Sequence, residues 1–421
     1  MVCAAGRLNL SAWVVSVVVA SVIAVSLNSL AAPAGQGLNA PTGQGAGAPA
    51  GRSADAPAAA LESAIEYQAD QLELDRLQHE MNGLVEQYGA AGVDLNLYQW
   101  LVAREHAPLN PVKFVRGVLS YFIREVLQNA ALLGQLLLVA VIAAVSRNLS
   151  DSLSEDTVAR VVSAVLYLVI LLIGLSSFRT AAEIARGTVD TMVGFVQSLT
   201  PTLFSLMVAM GGAASAAALS PAVLMAVTGS STLVGGVVVP LVLFSAVVSV
   251  VTRASGTPRA LQLAKLLRRA ATTVMALVFA VFVAAMTIRG LVGSFGDAVT
   301  MKTAKLAAGT LIPVVGSAIA DAMEVVAGAS LLIKNTVGIA GVLTVAVVCL
   351  YPILKIVAIV ALYRLVASLV EPLGDSAAAD CLGDFADNLS YLAYCTAATG
   401  IMFIVSIAVI LGVGTLPQML R

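Results

Sequence analysis

Asp321 and Glu324 stand three residues apart in an apolar, glycine-rich stretch, a spacing that puts two carboxylates on one side of a helix. Asp297, Lys302 and Lys305 precede them, Lys334 follows, and Pro313 and Gly316 interrupt the run just upstream of the acidic pair. A lone charge at a bilayer centre costs at least about 2.5–3.5 kcal/mol, so such groups must pair, reach the interface or line a wet cavity. Three arrangements meet that condition. Two amphipathic helices can lie at the outer interface with the charges in water. A broken or re-entrant helix can line a pathway, because the Pro-Val-Val-Gly break frees backbone groups that protein or water must cover. The charges can also form a contact with another subunit. Further on, Pro352 is expected to break a second long apolar run. Lys355 beside it is expected to pair with one of the carboxylates or to extend its ammonium to the interface. Cys349 in the same run reads as a small buried hydrophobe.

Little else in the chain could do chemistry. There is no GxxxxGK[ST], HExxH or GxSxG pattern, and the glycines lack the strand-turn-helix setting of a dinucleotide site. An intramembrane aspartyl protease needs aspartates from separate helices, which Asp321 and Glu324 are not. The only histidines, His79 and His106, fall before the apolar region, and the four cysteines form no CxxC spacing. No metal, cofactor or catalytic residue is expected. A formal net charge of -1 supplies no basic field for nucleic acid.

The elements that must carry these residues follow from the composition. Hydrophobic residues make up 59% of the chain and charged ones 11%, with a mean hydropathy of +0.95. Soluble domains carry about 25% charged residues, so most of this surface must face lipid. Apolar stretches long enough to cross occur at residues 130–145, 161–178, 192–210, 233–251, 271–288, 337–362 and 392–413, with a weaker Ala-rich stretch at 213–227 that contains Pro221. Backbone groups in hydrocarbon must be paired within the segment, and the runs show no strand alternation. The expected fold is an all-α polytopic membrane protein of seven or eight transmembrane helices, with broken or re-entrant helices possible at the proline breaks. Arg253, Arg259, Lys265, Arg268 and Arg269 crowd one short loop with no acidic residue among them, which marks that loop as cytoplasmic. Gly211, Gly212 and the alanines after them, with Gly229, Gly235 and Gly236, are expected to let helices of the chain approach closely.

The N-terminal third has a different texture. Arg7, a long apolar run and small residues before Pro33 lay out a secretory leader over residues 1–32, or an uncleaved anchor. Residues 33–60 are almost wholly Ala, Gly, Pro, Ser and Gln and read as a flexible tether. Residues 61–129 are then an extracytoplasmic helical region. Leu74, Leu77, Met81, Leu84 and Tyr88 give one amphipathic helix, which packs within its own small domain or pairs with a partner protein. Pro111 opens a second, with Val115, Leu119 and Ile123 on one face and Arg116, Ser120 and Arg124 on the other, suited to the membrane surface or to its own domain. The multi-span domain occupies 130–416.

The order Pro-Val-Val-Gly, an acidic pair, then Leu331-Leu332-Ile333-Lys334-Asn335, followed by Tyr351-Pro352-Ile353-Leu354-Lys355, resembles the stage III sporulation protein AE family. The leader, helical region and multi-span domain are laid out similarly, and the resemblance covers roughly residues 60–416; the long tether is a departure. It implies a member of a set of eight proteins made in the mother cell of endospore formers. These sit in the membrane around the engulfed forespore and join a channel-like complex needed for late forespore development. It also implies other membrane proteins of that complex as partners, and it assigns no catalytic residue. A free-standing secondary transporter and a non-conducting scaffold are the alternatives. Transporters often show two repeated halves, and residues 130–270 and 271–416 show no convincing match.

Overall fold

The computed structural model describes residues 56–88, 97–102, 111–150, 156–254, 261–311, 316–373 and 376–413. Among them every regular element is helical. Three short helices come first: α1 (Ala56–Gln71), α2 (Leu74–Gln87) and α3 (Leu97–Val102). They are followed by α4 (Pro111–Gln128) and α5 (Ala130–Ser150), and then by α6 (Asp156–Ala209). Next, α7 (Ala213–Leu233) passes through a π-helical turn (Val234–Val238) into α8 (Val239–Ala254). The chain ends with α9 (Leu261–Leu311), α10 (Gly316–Val370) and α11 (Ser376–Val413).

These helices correct the expected count. Five are long and apolar enough to cross: Ala164–Ala209, Ala213–Thr252, Leu261–Gly290, Val325–Val370 and Ala377–Val413. A sixth arises if Val115–Gln128 and Ala130–Ala143, which meet at 47°, form one bent crossing. The multi-pass, all-helical membrane fold stands, but with five or six candidate spans among the described residues rather than seven or eight. Two expected pairs of spans have merged. The 161–178 and 192–210 runs belong to the single 54-residue helix α6, about 80 Å long at 1.5 Å per residue. Good helix formers fill the gap between them, and Arg179 Nε donates to Glu183 Oε1 at 2.9 Å across one turn, so nothing there ends the helix. Likewise the weak 213–227 stretch is the first half of the α7–α8 crossing rather than a span of its own or a dip.

Prolines fail to stop these helices. Pro201, Pro221 and Pro352 all lie inside continuous helix. The expected break at Pro352 therefore does not occur. Tyr351, Pro352 and Ile353 are buried, so neighbouring helices cover the carbonyl that proline leaves unpaired. Pro240 is accommodated differently. The π-helical turn ends just before it and widens the helix where its ring would strike the carbonyl of Gly236.

The core is built on α10. Of its apolar window 83% is buried, against 28% for α6 and 22% for α9, so α10 and its neighbour α11 form the centre and the others surround them. Close approach depends on glycines other than the ones the sequence suggested. A Cβ on Gly174, Gly338, Gly341 or Gly400 would collide with Phe385, Leu411, Leu199 or Cys349 respectively. Gly229, Gly235 and Gly236, expected at helix contacts, instead face open space.

The short helices pack on this bundle rather than on one another alone. Leu74, Leu77, Met81 and Val85 of α2 are buried in the common core, so that stripe is covered by the chain itself and is not free for a partner protein. Leu84 and Tyr88, expected on the stripe, are only partly buried. In α4 the apolar residues Val115, Leu119, Ile123 and Leu127 are exposed, while Glu125 is 5% exposed. Carboxylate inward and aliphatics outward is the arrangement of a helix whose surroundings are lipid.

Candidate functional site

Side-chain contacts between helices fix the two ends of the bundle. At one end Ser198 donates to Glu80 at 2.9 Å, Ser330 to Gln68 Oε1 at 2.9 Å, and Lys334 Nζ to the Leu411 carbonyl at 3.1 Å. That end also holds the 209–213 turn, where Gly211 adopts φ 87°, open to glycine at little cost. At the other end Tyr167 donates to the Val250 carbonyl at 3.1 Å and Ser245 to the Ala264 carbonyl at 3.0 Å. The basic residues expected on one short loop divide there between two helices: Arg253 is near the end of α8, and Lys265, Arg268 and Arg269 stand on α9, while Arg259 lies outside the described residues. An ionic cluster at the same end joins three helices: Asp387 lies 3.8 Å from Arg268 and 3.5 Å from Arg364, and the Arg268 guanidinium sits 5.1 Å over the Tyr391 ring. Two guanidiniums on one carboxylate tie α9, α10 and α11 together where all three side chains are mostly covered.

The candidate charges of the sequence divide. Asp297, Lys302 and Lys305 fall on the last part of α9, Gly316 opens α10, and Asp321 and Glu324 follow in its first turns. Their side chains, and Pro313 altogether, lie outside the described residues. Lys334 is fully buried, and its ammonium meets a carbonyl in the last turn of α11. The last four carbonyls of a helix have no partner within it and carry the negative end of its dipole. Lys334 thus caps α11, and Gly338, one turn on, receives the Leu411 side chain. Lys355 pairs with neither expected carboxylate. It lies about 50 Å along the same helix from Asp321, by the 1.5 Å rise, and no straight helix can bring them together. Its partner is Glu125 at 3.5 Å, whose Oε1 also accepts from Asn129 Nδ2 at 3.2 Å. One turn away Tyr121 and Tyr351 stack edge to face with centroids 4.6 Å apart. This buried contact fixes α4 against the middle of α10.

Sequence reasoning passed over Glu125, Arg364 and the α6 charges, and it placed Asp387 among the acidic residues of a last loop, whereas Asp387 stands within α11. Glu125 was hidden because an amphipathic reading of α4 assigns its polar face to water. The α6 signal was present: Arg179, Glu183, Arg186 and Asp190 recur at spacings of four, three and four, the period of one helix face.

A crevice of about 390 Å³ opens sideways halfway up the bundle. Arg186 and Asp190 of α6, Ser231, Gly235, Gly236 and the π-helical turn, and Cys395 and Thr396 of α11 line it. No three His, Cys, Asp or Glu side chains among the described residues group to hold a metal ion. The donors and acceptors of the crevice can bind or conduct a polar species, or meet another helix.

A family model described as stage III sporulation protein AE matches residues 96–414. The chain is also 31% identical over 363 residues to the stage III sporulation protein AE of Bacillus subtilis (strain 168), covering 86% of this chain and 90% of that protein. The chain belongs to the stage III sporulation protein AE family. No solved structure matches it. The match covers α3 to α11 in the family model, and so includes the Glu125–Lys355 contact, the Asp387 cluster and the α6 charges. As a stage III sporulation protein AE homologue it is a multi-pass membrane protein of sporulation, from a family not known as enzymes.

Proposed function

We propose that this protein is a subunit of a channel or transport complex in the mother-cell membrane around the forespore, with other membrane proteins of the stage III sporulation complex as partners. The observation that carries the reading is the family match over nearly the whole helical bundle. The charge pattern fits a membrane subunit that meets water or another helix within the bilayer. Arg179, Glu183, Arg186 and Asp190 sit partway along a helix that outruns a ~30 Å hydrocarbon layer, and charges at such depth mark wet surfaces or subunit contacts. Asp321 and Glu324, on the first turns of α10, remain candidates for lining the same path.

The orientation proposed from the arginine-rich loop is consistent with the helices. With α4 and α5 taken as one bent crossing, the chain crosses three times between residues 115 and 254, by that pair, α6 and α7–α8, so a loop at 255–260 in the cytoplasm puts α1 and α2 on the outer side. There they would reach the space between the two membranes.

The test is to purify the protein from sporulating cells with its neighbouring membrane proteins and reconstitute the assembly. A stable multi-protein complex that conducts ions or small solutes is expected. A complex that forms but never conducts would leave only the scaffold. Uptake by the isolated chain would favour a free-standing transporter.

A further inference from the structure

The exposed face of α6 changes character along its length. Val161, Val165, Leu168, Leu172 and Leu175 are exposed, as lipid-facing residues should be. Arg179, Glu183, Arg186 and Asp190 then follow on the outside of the bundle, and Arg179 and Glu183 side chains are 80% and 63% exposed. Contacts on either side fix their depth. Below them Tyr363 donates to the Ile173 carbonyl at 3.4 Å. Above them Met192 lies by Gly400 and Cys349, and Leu199 by Gly341. The charges are therefore level with the part of α10 that is most completely buried. Along α6 they lie about 28 Å and about 35 Å from its two ends, by the 1.5 Å rise. Beside them on the α7–α8 crossing, Leu233, Val237 and Phe244 are exposed and apolar. The result is a strip of ions inside a lipid-like surface, which acyl chains cannot solvate.

Two further features describe what covers it. The signs alternate, plus, minus, plus, minus, at successive turns. Gly187 and Gly194 on the same helix, and Gly229, Gly235 and Gly236 beside it, have nothing within 4 Å of where a Cβ would stand, leaving room for a helix backbone to approach. Copies of one chain share an orientation in the membrane, so a two-fold axis along the membrane normal sets two α6 helices parallel. In that register each Arg186 falls between Glu183 and Asp190 of the second copy, offset by about 4.5–6 Å along the axis and within reach of a guanidinium. The strip is complementary to itself.

We propose that this face, Arg179 to Asp190 with the open glycines beside it, is the interface between two copies of the chain. It does not rest on the channel reading, and a monomer inside a larger complex would leave that reading intact.

The test uses the full chain in lipid nanodiscs and in native membranes. The wild type is expected to associate as a dimer. Arg186→Glu places three acidic side chains opposite three others and should weaken association at least tenfold. Inverting all four charges (Arg179→Glu, Glu183→Arg, Arg186→Glu, Asp190→Arg) restores the alternation and should restore the dimer. Gly187→Cys, which keeps every charge, should cross-link copy to copy under mild oxidation, and it guards against a charge variant that fails to fold. A wild type that stays monomeric would overturn the proposal, as would association indifferent to Arg186→Glu. Cross-linking of Gly187→Cys only to a different protein would also overturn it, because the occupant would then be something other than a copy.

Discussion

Lys355→Met and Glu125→Gln are each expected to destabilise the protein by about 3 kcal/mol, because each leaves one ion of a contact inside a candidate span without its partner. Glu125 is buried at 6% side-chain exposure, while Lys355 is 43% exposed. Without the ammonium, the carboxylate stays in the core with Asn129 Nδ2, at 3.2 Å, the one side-chain donor to it among the described residues. A buried ion stripped of its partner is among the costliest single defects. Without the carboxylate, the half-exposed ammonium faces lipid rather than water and is no better solvated. The double variant Lys355→Met/Glu125→Gln should recover most of the loss, because no unpaired ion remains. Unfolding the three variants in mixed micelles by denaturing detergent measures this ordering. Single losses below about 1 kcal/mol, or a double variant no more stable than the single ones, would show that the pair does not hold α4 on α10 in the way described.

Gly400→Ala is expected to lower stability by about 2–3 kcal/mol, at the upper end for one added methyl in a packed core. A Cβ there would meet the Cys349 sulfur directly and stand 3.1 Å from the Cys349 Cβ. Rotating the cysteine frees the sulfur but not its Cβ, so α10 and α11 must move apart where the core is best filled. Gly338→Ala is the milder counterpart, because its obstacle is the side chain of Leu411, near the end of α11, which can turn aside. The compensating change is Cys349→Gly. Combined with Gly400→Ala it exchanges one small group across the contact, and should return stability to within about 1 kcal/mol of the wild type. Melting temperatures of the purified variants in one detergent check both the loss and the recovery. A Gly400→Ala protein as stable as the wild type would contradict the tight α10–α11 contact.

Much of this fold was legible from composition and apolar runs: its helical nature and its multiple crossings, though not that the 337–362 run would lie at the centre. Nor was the span count. Hydropathy treats a charged interval as a place where the chain leaves the membrane, and Arg179–Asp190 looks like such an interval. Only its four-three-four period shows a helix that continues with charge on one face. Pro352 misled for a related reason. Proline breaks a helix when the freed carbonyl meets water or hydrocarbon, and α11 and its neighbours enclose this one. Lys334 and Lys355 were visible as charges in apolar surroundings, but their partners were not. One is the carbonyl of Leu411 and the other a carboxylate more than two hundred residues upstream. Long-range pairings of this kind leave no local pattern.

The arrangement of long helices is tested most directly by the sidedness of the turn after α6. Cysteines introduced singly at Ala213 and at Gly256, in a chain with Cys3 replaced by Ser, can be labelled with an impermeant thiol reagent from either side of sealed vesicles. Cys349, Cys381 and Cys395 are buried and should stay silent. If α7 and α8 form one crossing, Ala213→Cys reacts from the side opposite to Gly256→Cys. Were 213–227 and 233–251 separate spans, as the hydropathy pattern alone suggests, both positions would react from the same side, and the account of α6 and its mid-membrane charges would fail with it.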